Sequence, residues 1–288
     1  MPAPTRSLAD LRVPPIGLGA MPMSVEGRPQ ETQSIRTIHA ALDAGVGLID
    51  TADAYCLDEA EFGHNEALLA RALRGRGDEV VVATKAGHVR RGSGWALDGR
   101  PEHLRAACEA SLRRLGTESI DLLQLHRPDP QVPFAESVGA LGELRAEGKV
   151  RRVGVSNVDV AQIEQARRIA DVASVQNQLS AAYPNPLARG EVRACEEYGI
   201  AFLPWSPLGG IGRADDPDLI APVREAARRH GVSPQRVALA WLLALSPAIV
   251  AIPGSKRPET ILDSLAAAEL DLTPEEVEGI SARVERSP

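Results

Sequence analysis

Short runs of apolar residues alternate with longer amphipathic segments along the whole chain. Most of these runs are continuous rather than alternating, which is typical of strands that are covered on both faces. Eight of them are recognisable, and they end in the segments PIGLGA, GLID, VVVATK, DLLQLH, RRVGVS, ASVQN, IAFLPW and AIVAIPG. The pattern therefore predicts eight buried, parallel strands.

The segments between these runs have helical periodicity. In the first of them Ile35, Ile38 and Leu42 share one face, and Gly45 is suited to the end of a helix. The segment that begins at Pro101 has a similar apolar stripe, and proline is tolerated in the first turn of a helix. Strands and helices are thus predicted to alternate.

Eight strand–helix units predict an α/β fold, a (β/α)8 TIM barrel with its active site at the C-terminal face of the strands. Two additional helices are predicted around 217–231 and 273–286. Because no Ser- or Gly-rich linker interrupts the pattern, we expect a single domain over residues 1–288. A doubly wound open sheet is the alternative. It normally places G-x-G-x-x-G after its first strand, and GLGAMP does not match that motif.

Composition and charge narrow the possible functions. The chain is 44% hydrophobic and 25% charged, and its net charge of -7 disfavours nucleic acid or an anionic membrane as a partner. No apolar run approaches the ~18 residues of a membrane span. Cys56, Cys108 and Cys195 are widely spaced and no segment resembles a signal peptide, so a cytoplasmic location is expected. The six histidines show neither the H-x-H nor the H-E-x-x-H spacing of a metal site.

Several apolar runs end in ionisable residues. Asp50 ends the second run, Lys85 the third and His126 the fourth, and Tyr55 lies on the loop after the second. The C-terminal ends of barrel strands converge on one rim, so these four side chains are expected to meet there. Taken singly, each has an ordinary structural explanation, and only their joint placement supports a catalytic hypothesis.

The chemistry of this set indicates proton transfer to a carbonyl oxygen. A lysine cation beside a phenol is expected to lower the pKa of Tyr55, and Asp50 would keep Lys85 charged and oriented. Tyr55 would then act as a general acid near neutral pH. A neutral His126 would hydrogen-bond the carbonyl oxygen and fix its direction.

The motifs LIDTADAY, VVATKAG and LLQLHRPDP closely resemble the aldo-keto reductase family. VRRVGVSN, SVQNQLS, WSPLGG and VAIPGSK match later segments of that family in the same order, so the resemblance covers nearly the whole chain. It implies a (β/α)8 barrel that reduces aldehydes and ketones with NADPH and without a metal. It assigns the catalytic tetrad to Asp50, Tyr55, Lys85 and His126. The later segments also look like bacterial reductases of small carbonyl compounds, some of which act on pyridoxal.

The same resemblance places NADPH along the ends of the later strands. It implies nicotinamide contacts at the fifth to seventh strand ends and phosphate contacts on the loops after the seventh and eighth strands. The expected cofactor-binding residues are Ser156, Asn157, Gln176, Trp205, Ser206, Leu208, Gly210, Gly254, Ser255, Lys256, Arg257, Asp263 and Ser264.

Some positions depart from the family pattern. Thr260 stands where many members carry an arginine that binds the 2′-phosphate, and Asp263 and Ser264 replace a Glu and an Asn. NADH is therefore possible. NADPH is the preferred expectation, because Lys256 and Arg257 offer two cations for the phosphate.

The substrate pocket is expected to be lined by Met21, Met23, His88 and Trp95. Arg90 and Arg91 on the loop beside it either attract an anionic substrate or are solvated, and solvation is the favoured interpretation. The leading hypothesis is an NAD(P)H-dependent aldo-keto reductase that acts on a small-molecule carbonyl substrate. A non-enzymatic NADP(H)-binding sensor of the same fold is one alternative. A Schiff-base aldolase with Lys85 as the nucleophile is another, although Asp50 would keep that lysine protonated.

Overall fold

Eleven strands lie within residues 4–76, 80–209 and 221–284, which are the residues that the computed structural model describes. In chain order they are β1 (Arg6–Leu8), β2 (Leu11–Val13), β3 (Leu18–Gly19), β4 (Leu48–Asp50), β5 (Val81–Ala86), β6 (His88–Arg91), β7 (Gly94–Leu97), β8 (Leu122–Leu125), β9 (Val153–Ser156), β10 (Val172–Gln176) and β11 (Ala201–Phe202). Seven of them are parallel neighbours in the order β11, β10, β9, β8, β5, β4, β3. The other four form two antiparallel hairpins, β1–β2 and β6–β7.

The eighth predicted strand closes this sheet into a barrel. It is present as single parallel bridges between the two edges, at Phe202–Ile249, Ile16–Ala251 and Gly19–Gly254. Pro253 lies between the last two of these bridges, and because proline has no backbone N–H it cannot continue a hydrogen-bonded ladder. The bridges join β11 to β3, so the predicted (β/α)8 barrel is confirmed and the open-sheet alternative is wrong.

Helices cover the outside of the barrel. Within the described ranges they are α1 (Glu31–Asp43), α2 (His64–Ala72), α3 (Pro101–Leu115), α4 (Phe134–Ala146), α5 (Val160–Ile169), α6 (Asn185–Ala188), α7 (Glu191–Tyr198), α8 (Ala221–His230), α9 (Pro234–Leu245), α10 (Pro258–Leu265) and α11 (Pro274–Val284). The two predicted additional helices correspond to α8 and α11. The predicted residues 217–220 and 285–286 lie outside the described part of the chain.

The apolar stripes read from the sequence are the faces that pack on the barrel. Ile38 of α1 and Leu104 of α3 have no exposed surface. Burial of one such side chain stabilises the fold by about 1.5–3 kcal/mol. α3 begins at Pro101 and ends before Gly116, whose φ of +69° is the left-handed conformation that glycine adopts readily.

The β6–β7 hairpin stands over the C-terminal face of the barrel, where the sequence indicated an irregular loop. It is fastened to the segment after β4: the Glu59 amide donates to the Gly92 carbonyl at 3.2 Å, and the Arg90 guanidinium donates to the Leu57 carbonyl. The hairpin therefore forms a fixed wall beside the ends of the barrel strands.

Candidate active site

A cavity of about 1120 Å³ opens at the C-terminal ends of the barrel strands. Most of the predicted site residues line it: Met21, Asp50, Tyr55, His88, Trp95, His126, Ser156, Asn157, Gln176, Trp205, Ser206, Leu208, Gly254, Ser255, Lys256, Arg257, Asp263 and Ser264. Lys85 lies in the barrel wall beneath Tyr55. Met23 is placed elsewhere, and Gly210 lies outside the described residues.

Lys85 is the centre of the cluster that the sequence predicts to be catalytic, Asp50, Tyr55, Lys85 and His126, and we call this part of the cavity the catalytic end. Its side chain is 0% exposed, and its ammonium donates to both carboxylate oxygens of Asp50 at 2.8 and 2.6 Å and to the Thr51 carbonyl at 2.8 Å. It also donates to the Tyr55 hydroxyl at 3.1 Å. Burial alone would lower the pKa of Lys85, but the Asp50 carboxylate, together with the contact to Tyr55, outweighs burial and the pKa is raised. A lysine held protonated is a poor nucleophile, which disfavours the Schiff-base alternative.

Tyr55 is oriented by this contact. An ammonium group can only donate, so the Tyr55 oxygen accepts from Lys85 and its own hydrogen remains available to the cavity. The expected lowering of the Tyr55 pKa is wrong as a net effect. Burial of the phenol, together with the Asp50 carboxylate, raises this pKa above the ordinary value, although Lys85 acts to lower it. Tyr55 is therefore fully protonated at neutral pH.

His126 lies beside Tyr55, with ring centroids 5.6 Å apart in an edge-to-face contact. Burial, followed by the positive charge of Lys85, holds its pKa well below the ordinary value, so the ring is neutral at neutral pH. Nδ1 is buried without a hydrogen-bond partner among the described residues. A proton there would be a buried, unsatisfied donor, so the proton belongs on Nε2, which is left to donate into the cavity.

Gln176 makes a contact that the sequence did not reveal. Its side-chain amide donates to Asp50 Oδ1 at 2.8 Å, so it holds the carboxylate that holds Lys85. The backbone carbonyl of Gln176 accepts from the Ser156 hydroxyl at 2.6 Å. The predicted nicotinamide residues are thus linked by hydrogen bonds to the predicted catalytic residues.

Asn157 connects two neighbouring strand ends. Its amide donates to the His126 carbonyl and to the Ser156 hydroxyl, both at 2.9 Å, and its Oδ1 accepts from Arg127 at 3.1 Å. Its backbone φ is +60°, a left-handed conformation that asparagine tolerates better than most residues. The polar atoms of this side chain are all engaged by the protein, so its predicted contact with nicotinamide stays a prediction.

The other end of the cavity lies at the start of α10. The Lys256 ammonium reaches across to the Gly27 carbonyl at 2.7 Å, whereas Arg257 is exposed and forms no ion pair within the described residues. The Asp263 carboxylate is bound by Arg236 at 2.6 Å and by the Ser233 hydroxyl. Asp263 therefore lies at the cavity with its charge already compensated.

Two side chains are placed differently from the sequence-based expectation. Met23 is 1% exposed and packs in the core with Leu18 and Ile38, so it is not a pocket residue. Arg90 is 9% exposed and stacks 4.1 Å from the centre of the Trp95 ring, so it is not solvated.

Sequence reasoning did not identify a pair of buried acidic residues near the tetrad, Asp53 and Glu66. Asp53 and Glu66 are both 0% exposed. Glu66 is bound by Arg114 at 2.6 Å and by the Thr84 hydroxyl at 2.5 Å. Asp53 has no hydrogen-bond partner for its carboxyl oxygens among the described residues, and burial and the charge of Glu66 raise its pKa well above the ordinary value. One sequence signal existed, because Glu66 interrupts the apolar face of α2.

Two kinds of feature are absent from the described part of the chain. Within the described residues no group of three or more His, Cys, Asp or Glu side chains is arranged to hold a metal ion. None of the helices in the described ranges combines the length and apolar character needed to cross a membrane.

Known proteins resemble this chain over almost its full length. The model of the aldo/keto reductase family matches residues 15–285. An uncharacterised oxidoreductase of Schizosaccharomyces pombe is 34% identical over 278 residues, which is 95% of this chain and 87% of that protein. The glycerol dehydrogenase of Gluconobacter oxydans has a TM-score of 0.85 and 29% identity, with 99% of this chain and 96% of that chain covered.

An aldo/keto reductase of Klebsiella pneumoniae, solved in complex with NADP and acetate, has a TM-score of 0.79 and 30% identity, with 94% of this chain and 91% of that chain covered. The fold is a (β/α)8 barrel, and a buried Lys–Asp–Tyr cluster lies at the C-terminal ends of its strands. This chain belongs to the aldo/keto reductase family. The predicted family and the predicted class of NAD(P)H-dependent oxidoreductase are thereby confirmed.

Proposed function

We propose that this protein reduces an aldehyde or ketone to the alcohol, with NADPH as the reductant. The observation that carries the proposal is the contact at the cavity wall, where the Tyr55 hydroxyl accepts from Lys85 at 3.1 Å and Asp50 neutralises that lysine. This arrangement presents a phenolic proton to the cavity beside a neutral histidine. Family membership and the NADP complex of the Klebsiella pneumoniae relative support the choice of cofactor.

The residues around the cavity fit an extended dinucleotide. Trp205 offers a ring face for nicotinamide, and the Gln176 amide oxygen, which makes no bond to the protein among the described residues, can accept from the carboxamide. At the opposite end Lys256 and Arg257 offer cations for a phosphate. When bound, NADPH supplies the hydride.

The protein supplies the proton. Because its pKa is raised, Tyr55 holds its proton until negative charge develops on the carbonyl oxygen within reach. The Lys85 cation then stabilises the phenolate that remains, and Asp50 keeps the lysine in place. His126 donates from Nε2 to the same carbonyl oxygen and fixes its direction.

The substrate is proposed to enter between the β6–β7 hairpin and the first strand end. Met21, His88 and Trp95 form this part of the cavity wall, with apolar and aromatic surfaces that suit an organic carbonyl compound. We further propose that the chain folds as one domain and works in the cytoplasm, where its three buried, free thiols would stay reduced.

Tyr55→Phe tests the proposal. It removes the proton and one hydrogen bond while the ring remains, so kcat is expected to fall at least about 10³-fold, in the range of general acid catalysis. The Kd of NADPH, measured by fluorescence titration, should stay within about twofold. Tyr183→Phe, outside the cavity lining, is the matched control. A kcat close to the wild-type value in Tyr55→Phe would refute the assignment.

A panel of aldehydes tests the reaction itself. Oxidation of NADPH is followed by absorbance with each aldehyde, and turnover of at least one is expected. Tight NADPH binding without turnover of any carbonyl compound would instead favour the non-enzymatic sensor.

A further inference from the structure

The charges at the catalytic end of the cavity do not cancel. Asp50 and Lys85 neutralise each other, and His88 and His126 are neutral at neutral pH, because burial foremost lowers the pKa of each ring, to about 4 for His88. The next residue in the chain after His126 is Arg127, which lines the cavity and is always protonated. Among the charged residues that line this end of the cavity, Arg127 is therefore a cation without a carboxylate partner within the described residues.

Arg127 is an exposed residue that one hydrogen bond orients without neutralising its charge. Its guanidinium donates to the Asn157 side chain at 3.1 Å, and Asn157 is itself fixed to the His126 carbonyl at 2.9 Å. Within the described residues Arg127 forms no ion pair with a carboxylate. Its remaining N–H groups are free to bind an anion in the cavity, and an arginine fork is well suited to a carboxylate or phosphate.

A second cation strengthens the positive field on the same side. Arg90 is 9% exposed, stacks behind Trp95 and donates to the Leu57 carbonyl, and it too has no carboxylate partner among the described residues. Two arginines without a carboxylate partner beside one pocket contrast with the net charge of -7 of the whole chain. Such a local field attracts anionic ligands into a protein that otherwise repels them.

The cofactor phosphates do not account for Arg127. The candidate phosphate residues Ser255, Lys256 and Arg257 follow the eighth strand of the barrel, whereas Arg127 follows β8, which is the fourth. In a closed barrel of eight strands the fourth and the eighth lie on opposite sides. The position of Arg127, next to His126 and close enough to His88 to depress the pKa of that ring, belongs to the substrate side.

We propose that the substrate of this enzyme is a carbonyl compound that also carries an anionic group, a carboxylate or a phosphate, and that Arg127 binds this group while the carbonyl oxygen meets Tyr55. The proposal rests on the proposed function and narrows its substrate class. It makes Arg127 a determinant of specificity rather than a participant in proton transfer.

Binding of the product alcohols to the NADPH form tests the proposal without turnover, because reduced cofactor cannot accept a hydride from an alcohol. The NADPH-saturated protein is titrated with two pairs of alcohols, 4-(hydroxymethyl)benzoate against its methyl ester and glycerol 3-phosphate against glycerol, and the change in fluorescence of the bound NADPH gives each Kd. Saturation with NADPH keeps the phosphate probe out of the cofactor site. The anion of at least one pair is expected to bind about tenfold or more tightly than its neutral partner, and the pair that shows the preference identifies the anionic group.

Arg127→Gln should abolish this preference. The matched control Arg91→Gln removes the same charge from an exposed position on the hairpin, outside the cavity lining, and should leave the preference in place. A preference for neither anion in the wild type, a preference that survives in Arg127→Gln, or equal losses in both variants would each overturn the inference.

Kinetics separate the two proposals. Each charged aldehyde is compared with a neutral partner by the ratio of their kcat/KM values, with 4-carboxybenzaldehyde set against methyl 4-formylbenzoate and glyceraldehyde 3-phosphate against glyceraldehyde. For the preferred pair this ratio should fall about tenfold in Arg127→Gln. Any change in proton transfer cancels in the ratio, because both substrates meet the same Tyr55.

The outcomes of this comparison are distinct. Equal turnover of charged and neutral aldehydes overturns the inference and leaves the proposed function intact. Anion-selective binding without turnover of any carbonyl supports Arg127 as an anion site and contradicts the proposed function.

Discussion

The two ends of the cavity use charged residues in opposite ways. At the catalytic end Lys85 and Asp50 are 0% and 4% exposed, and every donor of the lysine has a protein acceptor. At the far end, at the start of α10, the Lys256 ammonium contacts one backbone carbonyl and Arg257 is exposed to solvent. The cation Lys85 is thus part of a buried, fully hydrogen-bonded unit at one end, whereas the cations Lys256 and Arg257 at the other end have few protein partners.

The difference follows from the surroundings. A buried charge interacts strongly with its neighbours and is costly to leave without a partner, whereas an exposed charge is screened by water and salt. Substitutions at the catalytic end are therefore expected to have large effects that depend on the partner residue. Substitutions at the far end are expected to have small effects that depend on ionic strength.

Lys85→Met tests the buried end most severely. It removes the cation beside Tyr55 and leaves the Asp50 carboxylate buried without its partner. We expect kcat to fall by about 10³-fold or more, and the free energy of unfolding to fall by about 3–5 kcal/mol. Steady-state kinetics and urea denaturation measure the two effects.

The double variant Asp50→Asn/Lys85→Met is the control for this prediction. With the uncompensated charge removed, most of the stability should return while the activity stays low. If Lys85→Met alone is as stable as the wild type, the buried ion pair is not the buried, fully hydrogen-bonded unit described above.

Gln176→Leu measures how far the catalytic unit extends. The bond from Gln176 to Asp50 Oδ1 is 2.8 Å long and buried, and hydrogen bonds to charged groups are worth about 1.5–3 kcal/mol. We expect kcat/KM to fall by about tenfold. Gln178→Leu, two residues further along and outside the cavity lining, is the matched control. An unchanged kcat/KM in Gln176→Leu would show that the catalytic unit extends no further than Asp50 and does not include Gln176.

Sequence reasoning worked best where burial dictates the structure. Asp50, Lys85 and His126 each follow a continuous apolar run, and such a run predicts both a strand and the rim at which the strand ends. Once the barrel is closed, the ends of these strands lie on one rim, so the three residues could be predicted to converge. The closing strand was itself visible as the apolar run before Pro253, although that proline interrupts its hydrogen bonding.

Features that depend on local turns were not predictable in this way. Met21–Met23 forms a 3₁₀ turn, so the first and last of its residues face different directions, and Met23 enters the core. The β6–β7 hairpin places Arg90 directly opposite Trp95, a pairing that is invisible without the strand register. The direction in which the pKa of Tyr55 shifts depends mainly on the burial of its side chain. Spacing along the chain does not predict how deeply a side chain is buried.

Arg257→Ala tests the exposed end. Its guanidinium is solvated, so the loss of one contact with a 2′-phosphate should raise the Kd of NADPH by only about fivefold, and less at high salt. The Kd of NADH, which lacks that phosphate, should not change. Arg193→Ala, an exposed arginine on α7, is the control. An increase of more than a hundredfold in the Kd of NADPH, or an equal increase in the Kd of NADH, would show that this end is as tightly organised as the catalytic end.

The pH dependence of stability gives the smallest effect, and it separates the half-buried His88 from the buried Asp53, whose contributions have opposite signs. His88 has a pKa of about 4 in the folded protein, below the ordinary value, so between about pH 6.5 and 4 the unfolded chain binds a proton that the folded chain does not. This histidine therefore lowers the free energy of unfolding as the pH falls. Asp53 acts in reverse, because its raised pKa lets the folded protein keep a proton that the unfolded chain has lost.

Urea denaturation at pH 7 and pH 5 measures these contributions as differences from the wild type. His88→Gln should lose less stability on acidification than the wild type, and Asp53→Asn should lose more. Gln178→Leu, which removes no ionisable group and lies outside the cavity lining, should follow the wild type. If all three variants share the wild-type slope, neither group titrates differently in the folded and unfolded chains, and the catalytic end is better hydrated than its burial indicates.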